Sequence, residues 1–111
     1  MQDKFLIVTK TKKSIEYIEK VIVNFPRTEV VLKNKLISSY HDLLELIYKA
    51  NIYKDVNCMK DVLVKIRMIE YYIKVCLDKK IISFRKYEII GNNLLEINKM
   101  VNSWIVYEKN K

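Results

Sequence analysis

Apolar residues return along this chain every three or four positions, and that rhythm predicts a succession of long helices. Ile15, Ile18, Ile22 and Phe25, spaced 3, 4 and 3 apart, predict a first helix from about Phe5 to Asn24. Its start, Phe5-Leu6-Ile7-Val8, reads either as a frayed turn or as a short extended segment. Pro26 disfavours helical geometry at Phe25, so a break is expected there. Thr28 is the expected cap of the next helix, with Glu29 in its first turn. Leu32, Leu36, Tyr40, Leu43, Ile47 and Ala50 then define helix 2, from about Thr28 to Asn51. Asn51–Asn57 carries no strong helix signal and is expected to be the longest loop.

Helix 3 is predicted from about Cys58 to Lys80, on the stripe Met59, Val62, Ile66, Ile69, Ile73 and Cys76. Lys79 and Lys80 suit the negative end of its dipole. Ser83 is the expected cap of helix 4, and Ile82 and Tyr87 have the spacing of a hydrophobic staple across it. The stripe of helix 4 is Tyr87, Ile90, Leu94, Ile97, Val101 and Trp104. Four helices of similar length with short links imply an all-α fold, an antiparallel up-down-up-down four-helix bundle. Leu36, Leu43, Ile66, Ile73, Leu94 and Ile97 are its expected core.

Composition narrows this picture. A length of 111 residues suits one domain, residues 1–111, and the 50% apolar content excludes intrinsic disorder. One Gly and one Pro leave too little turn chemistry for an all-β fold, and almost nothing for a Gly-rich phosphate loop. Two cysteines are too few for a disulfide scaffold. The longest uncharged run, Met100–Tyr107, is far short of a membrane span. The apolar stretch after Met1 is too short for a signal peptide. A cytoplasmic protein is the expectation.

Several motifs coincide along these helices. Phe25-Pro26-Arg27-Thr28-Glu29 opens helix 2, and Asp42-Leu43-Leu44-Glu45-Leu46-Ile47 lies in its second half, followed by Ala50-Asn51. Ile82-Ser83 precedes Tyr87-Glu88, and Met100-Val101-Asn102-Ser103-Trp104-Ile105 closes helix 4. With these the chain resembles the accessory variability determinant (Avd) family of diversity-generating retroelements. It is also similar to the related four-helix-bundle proteins encoded by intervening sequences in 23S rRNA genes. The resemblance implies a small basic bundle that assembles as a homopentamer and binds a reverse transcriptase and template RNA. It implies support for mutagenic cDNA synthesis without catalysis by the bundle itself. The family pattern has two basic residues four apart in helix 3; Lys74 matches the second, and Glu70 stands at the first. A stand-alone intervening-sequence-type bundle and a structural oligomer that binds no nucleic acid are the alternatives.

Charge supplies the candidate surface. The net charge is +8, from 21 Lys+Arg against 13 Asp+Glu. Lys60, Arg67 and Lys74 recur every seven residues on one face of helix 3. Lys65, Tyr72 and Lys79 form the neighbouring line, and Lys80, Arg85 and Lys86 crowd the turn into helix 4. Such cations can neutralise phosphates and release counterions. Tyr71 or Tyr72 could stack on an unpaired base. With 18 Lys to 3 Arg, binding dominated by phosphates and weakly sequence-specific is expected, because Lys acts as a point charge while Arg offers a planar fork. Arg27, Tyr71, Tyr72 and Trp104 are candidate interface residues, although Trp104, on the core stripe, reads first as a plug at the end of the bundle, with a subunit contact as the alternative. Tyr48, Tyr53 and Tyr107 add to an aromatic surplus that a small core does not need.

Catalytic and metal chemistry find little support. His41 is the single histidine, and with Glu45 it makes at most half a metal site; a partly buried structural role is expected. No Arg lies a few residues before it, as the helical HEPN ribonucleases require, and Asp42 is adjacent to it, so no catalytic triad forms. No cofactor or metal is expected. Cys76 falls on the core stripe and Cys58 on an exposed junction. Gly91, mid-helix, is expected to mark a close helix approach.

Overall fold

The computed structural model describes residues 3–111, with side chains from Leu6 onward. Met1 and Gln2, at the head of the stretch weighed as a signal peptide, lie outside the described residues. Four helices follow one another: α1 (Asp3–Ile22), α2 (Val30–Tyr53), α3 (Val56–Asp78) and α4 (Phe84–Lys109), with a 3-10 turn at Arg27–Glu29 between the first two. Among the described residues there is no strand. Each helix packs on the next and α4 returns to α1, while among the described residues the backbones of the diagonal pairs do not approach each other. Two cross-helix ion pairs set the direction of α3 against α2: Lys65 reaches Asp42 and Lys79 reaches Glu29, so residue numbers rise along one helix as they fall along the other. The bundle measures 48 × 23 × 20 Å, and its long dimension is set by α4, whose 26 residues span about 39 Å at 1.5 Å per residue.

The predicted stripes form the core. Leu36, Leu43, Ile66, Ile73, Leu94 and Ile97 are all buried, as is every stripe residue of α3. Tyr40 is buried with them, and burial raises its phenol above the ordinary value. Leu32 and Tyr87, at the outer ends of their stripes, are only partly covered.

Where the elements begin and end differs from the sequence expectation in three places. The Phe5–Val8 stretch is neither frayed nor extended. It is helical, and Ile7 is fully buried. Polar Thr11 and Ser14 interrupt the apolar rhythm between Ile7 and Ile15, yet both are buried: the Thr11 hydroxyl donates to the Ile7 carbonyl at 2.7 Å and that of Ser14 to the Lys10 carbonyl at 2.9 Å. Hydroxyls satisfied one turn back on their own helix need no partner across the core. Thr28 is not a cap. Pro26 begins the 3-10 turn, its carbonyl accepting from the Glu29 N–H at 2.9 Å, and α2 starts without a side-chain cap.

The loop expected at Asn51–Asn57 shrinks to Lys54 and Asp55. Lys54 takes the left-handed conformation (φ 52°) and its N–H returns to the Ala50 carbonyl, while Asp55 caps α3 by accepting from the Asn57 N–H at 2.9 Å. Two adjacent cap residues leave no room for a loop. The same closure buries Cys58, whose thiol faces the Asp55 carboxylate; Cys58 is not on an exposed junction. At the opposite end α3 finishes in a Schellman motif: the Ile81 N–H reaches the Cys76 carbonyl, the Lys80 N–H reaches that of Leu77, and Lys80 is left-handed (φ 60°). Ser83 then caps α4 as expected, accepting from the Lys86 N–H at 3.2 Å.

Candidate nucleic-acid interface

The antiparallel arrangement carries the start of α2, the end of α3 and the start of α4 to one end of the bundle. Arg27 lies in the turn before α2, Lys79 and Lys80 at the close of α3, and Arg85 and Lys86 in the first turn of α4. The Lys79–Glu29 contact, 3.1 Å, ties the two ends directly. Arg27, Lys80 and Arg85 are exposed and Lys86 is half-buried; among the described residues none of the four makes an ion pair. No acidic residue occupies the first turn of α4. Arg85 and Lys86 therefore add to the positive end of the helix dipole instead of offsetting it, and the potential there favours an anion.

The line along α3 is different. Lys60, Arg67 and Lys74 do share a helix face, but it stretches about 21 Å from first to last. Two of the three are held by carboxylates on their own helix. Arg67 donates to Glu70 at 2.7 Å and also to Asn98 of α4 at 3.1 Å. Lys74 donates to Asp78 at 2.8 Å, and that bond raises the pKa of its ammonium. Lys65 faces Asp42 across the α2–α3 seam at 3.5 Å. Lys60 stands exposed near the far end. Of the eight candidate cations, the structure gathers Lys79, Lys80, Arg85 and Lys86, leaves Lys60 remote, and supplies Lys65, Arg67 and Lys74 with anionic neighbours.

Beside the cationic end a groove of about 520 Å³ runs between α2 and α3. Val31, Leu32 and Val75 make its apolar lining, Lys35 and Lys79 its cations, Tyr71 and Tyr72 its aromatic wall, and Thr28 and Glu29, the latter paired with Lys79, close it at the start of α2. The two rings meet edge to face, with centroids 5.6 Å apart. Tyr72 packs against the core, whereas Tyr71 is 60% exposed. Lys35 carries no signal in the sequence, because the tyrosines that share its groove lie on another helix and no motif joins them.

A protein-family model described as bAvd-like matches residues 5–108. The chain belongs to the bAvd-like family. No curated protein matches it. The bAvd-like match spans all four helices, the cationic end and the tyrosine groove.

Other candidate residues of this bAvd-like protein fall outside the site. Trp104 is 2% exposed, so it plugs the core and cannot present a contact surface. His41 is exposed on α2, contrary to the expected partial burial. Tyr48, Tyr53 and Tyr107 are exposed, the last two beneath the ammonium groups of Lys49 and Lys111. Cys76 is buried, and desolvation pushes its thiol up to about 11. Gly91 does not mark a close approach: a Cβ there would meet nothing within 4 Å. The residue lines an open groove between α3 and α4, with Glu70, Phe84 and Glu88. Among the described residues no helix is long and apolar enough to cross a membrane, and no group of three metal-ligating side chains converges.

Proposed function

We propose that this bAvd-like protein is a non-catalytic accessory subunit. It binds template RNA and the reverse transcriptase of a diversity-generating retroelement and supports mutagenic cDNA synthesis. It acts as a homo-oligomer, for which the family resemblance implies a pentamer. The observation that carries the RNA reading is the cationic end, where Arg27, Lys80, Arg85 and Lys86 have no ion-pair partner among the described residues and stand beside an unopposed helix dipole. Phosphate contact there releases counterions and needs no base recognition, which suits a lysine-rich surface.

The test is a salt titration of RNA binding, paired with co-purification against a reverse transcriptase of a diversity-generating retroelement. Affinity should fall log-linearly with salt, and the polymerase should be retained by the bundle. RNA binding without polymerase capture would favour a stand-alone, intervening-sequence-type role. Capture without RNA affinity, even in low salt, would assign the basic end to the protein partner. Light scattering addresses assembly: a monomer at micromolar concentration in moderate salt would refute the oligomer.

A further inference from the structure

We infer that the Tyr71 groove is a stacking platform for an unpaired nucleobase, so that this protein distinguishes single-stranded from duplex RNA. The inference rests on the RNA reading above and adds the class of strand recognised. Three features converge on it. Tyr71 is 60% exposed, and its ring meets edge to face, at 5.6 Å, that of Tyr72, which packs on the core. An aromatic face held open on a rigid helix is what a splayed base stacks against, and every base has such a face.

Next, the groove carries cations on both walls. Lys35 on α2 has no ion-pair partner among the described residues, and Lys79 on α3 shares its charge with Glu29. A base lying on Tyr71 would bring its own phosphate within reach of such side chains, whereas an apolar peptide would leave Lys35 with nothing to meet. Finally, the groove opens at the cationic end: Lys79 and Thr28 line it, and Lys80 and Arg27 are their sequence neighbours. A strand can therefore hold phosphates at Arg27 and Lys80 while one nucleotide turns into the groove. In a duplex the bases are already stacked and paired, and the ring has nothing to receive.

The experiment compares the full-length protein with Tyr71→Ala and Tyr71→Phe. Binding is followed by fluorescence anisotropy with a mixed-sequence single-stranded RNA of about 16 nucleotides and with the same strand in a perfect duplex. Tyr71→Ala should weaken single-strand binding roughly 5- to 150-fold, the range of base–aromatic stacking. Its salt slope should not change, since no cation has been removed. Duplex binding should hold, and Tyr71→Phe, which keeps the ring, should retain wild-type affinity for both. Helicity by circular dichroism checks that Tyr71→Ala folds; the residue's exposure predicts that it does. Equal losses on single strand and duplex, or no loss on either, would overturn the inference and leave the RNA reading intact. Retained RNA affinity with lost polymerase capture would also overturn it and make the groove a protein contact. If wild type binds neither RNA in low salt, both readings fall.

Discussion

Replacing Lys80, Arg85 and Lys86 together with Gln tests whether the cationic end meets phosphate. Each phosphate contact contributes about 0.7 to the log–log salt slope on a single strand. If each of the three neutralises one phosphate, the variant's slope should be shallower by about 2. Between 50 and 200 mM salt the wild type should then lose roughly 20-fold more affinity than the variant. The structure also gives the sign of the stability change. Arg85 and Lys86 sit in the first turn of α4 with no acidic neighbour in that turn, where each cation opposes the dipole by about 0.3–1 kcal/mol. Neutralising those two relieves that opposition, while Lys80 gives up a favourable place at the negative end of α3; two gains against one loss should hold or raise the melting temperature, and a thermal melt of the variant checks that weakened binding is not unfolding. Arg67→Gln combined with Glu70→Gln serves as the control. It removes a pair already joined at 2.7 Å, keeps the net charge, and should leave the slope alone. A folded triple variant with the parental slope would refute the reasoning, and so would a control that loses as much slope as the triple.

Further predictions concern the fold. Leu43→Ala, at a fully buried position, should cost about 2–5 kcal/mol through the cavity it leaves, read from urea denaturation. Gly91→Ala should stabilise the protein by up to about 1 kcal/mol, since helix propensity improves and a Cβ there meets nothing within 4 Å; a lower melting temperature would mean that the α3–α4 groove is closed in solution. Lys80→Gly should be stabilising by about 0.5–1 kcal/mol, because the left-handed conformation of Lys80 (φ 60°) is strained for a side chain with a Cβ. Cys76, whose folded-state pKa is raised from 9.0 to about 11, favours the native state fully below pH 9 and loses that contribution as pH rises through 11. Cys76→Ser should flatten that alkaline decline, and a thiol reagent should reach Cys76 only as the protein unfolds.

Much of this protein is legible in its sequence. Spacings of three and four among Leu, Ile, Val and Met define which face of each helix is buried, because burial of a continuous apolar stripe dominates the energetics of a helix pair. Ser83 marked the start of α4 because a hydroxyl in that position satisfies an N–H the helix leaves free. The family resemblance, too, was carried by residues visible in the chain, from Phe25-Pro26-Arg27 to Trp104-Ile105.

The rest depended on partners remote in sequence or on backbone geometry that residue type does not dictate. Thr11 breaks the apolar rhythm on paper, yet it is buried because its hydroxyl turns back to Ile7. Lys54 ends α2 in a conformation that propensity assigns to Gly or Asn, so seven expected loop residues became a two-residue corner at Lys54 and Asp55. Charge was the least legible. A count of cations along α3 cannot show that Lys65 meets Asp42 or that Lys79 meets Glu29, since those partners lie 23 and 50 residues away. Periodicity places residues on a face; only the packing of one helix against another determines which of those charges remain free to meet a ligand, and which tyrosine is left with an open ring.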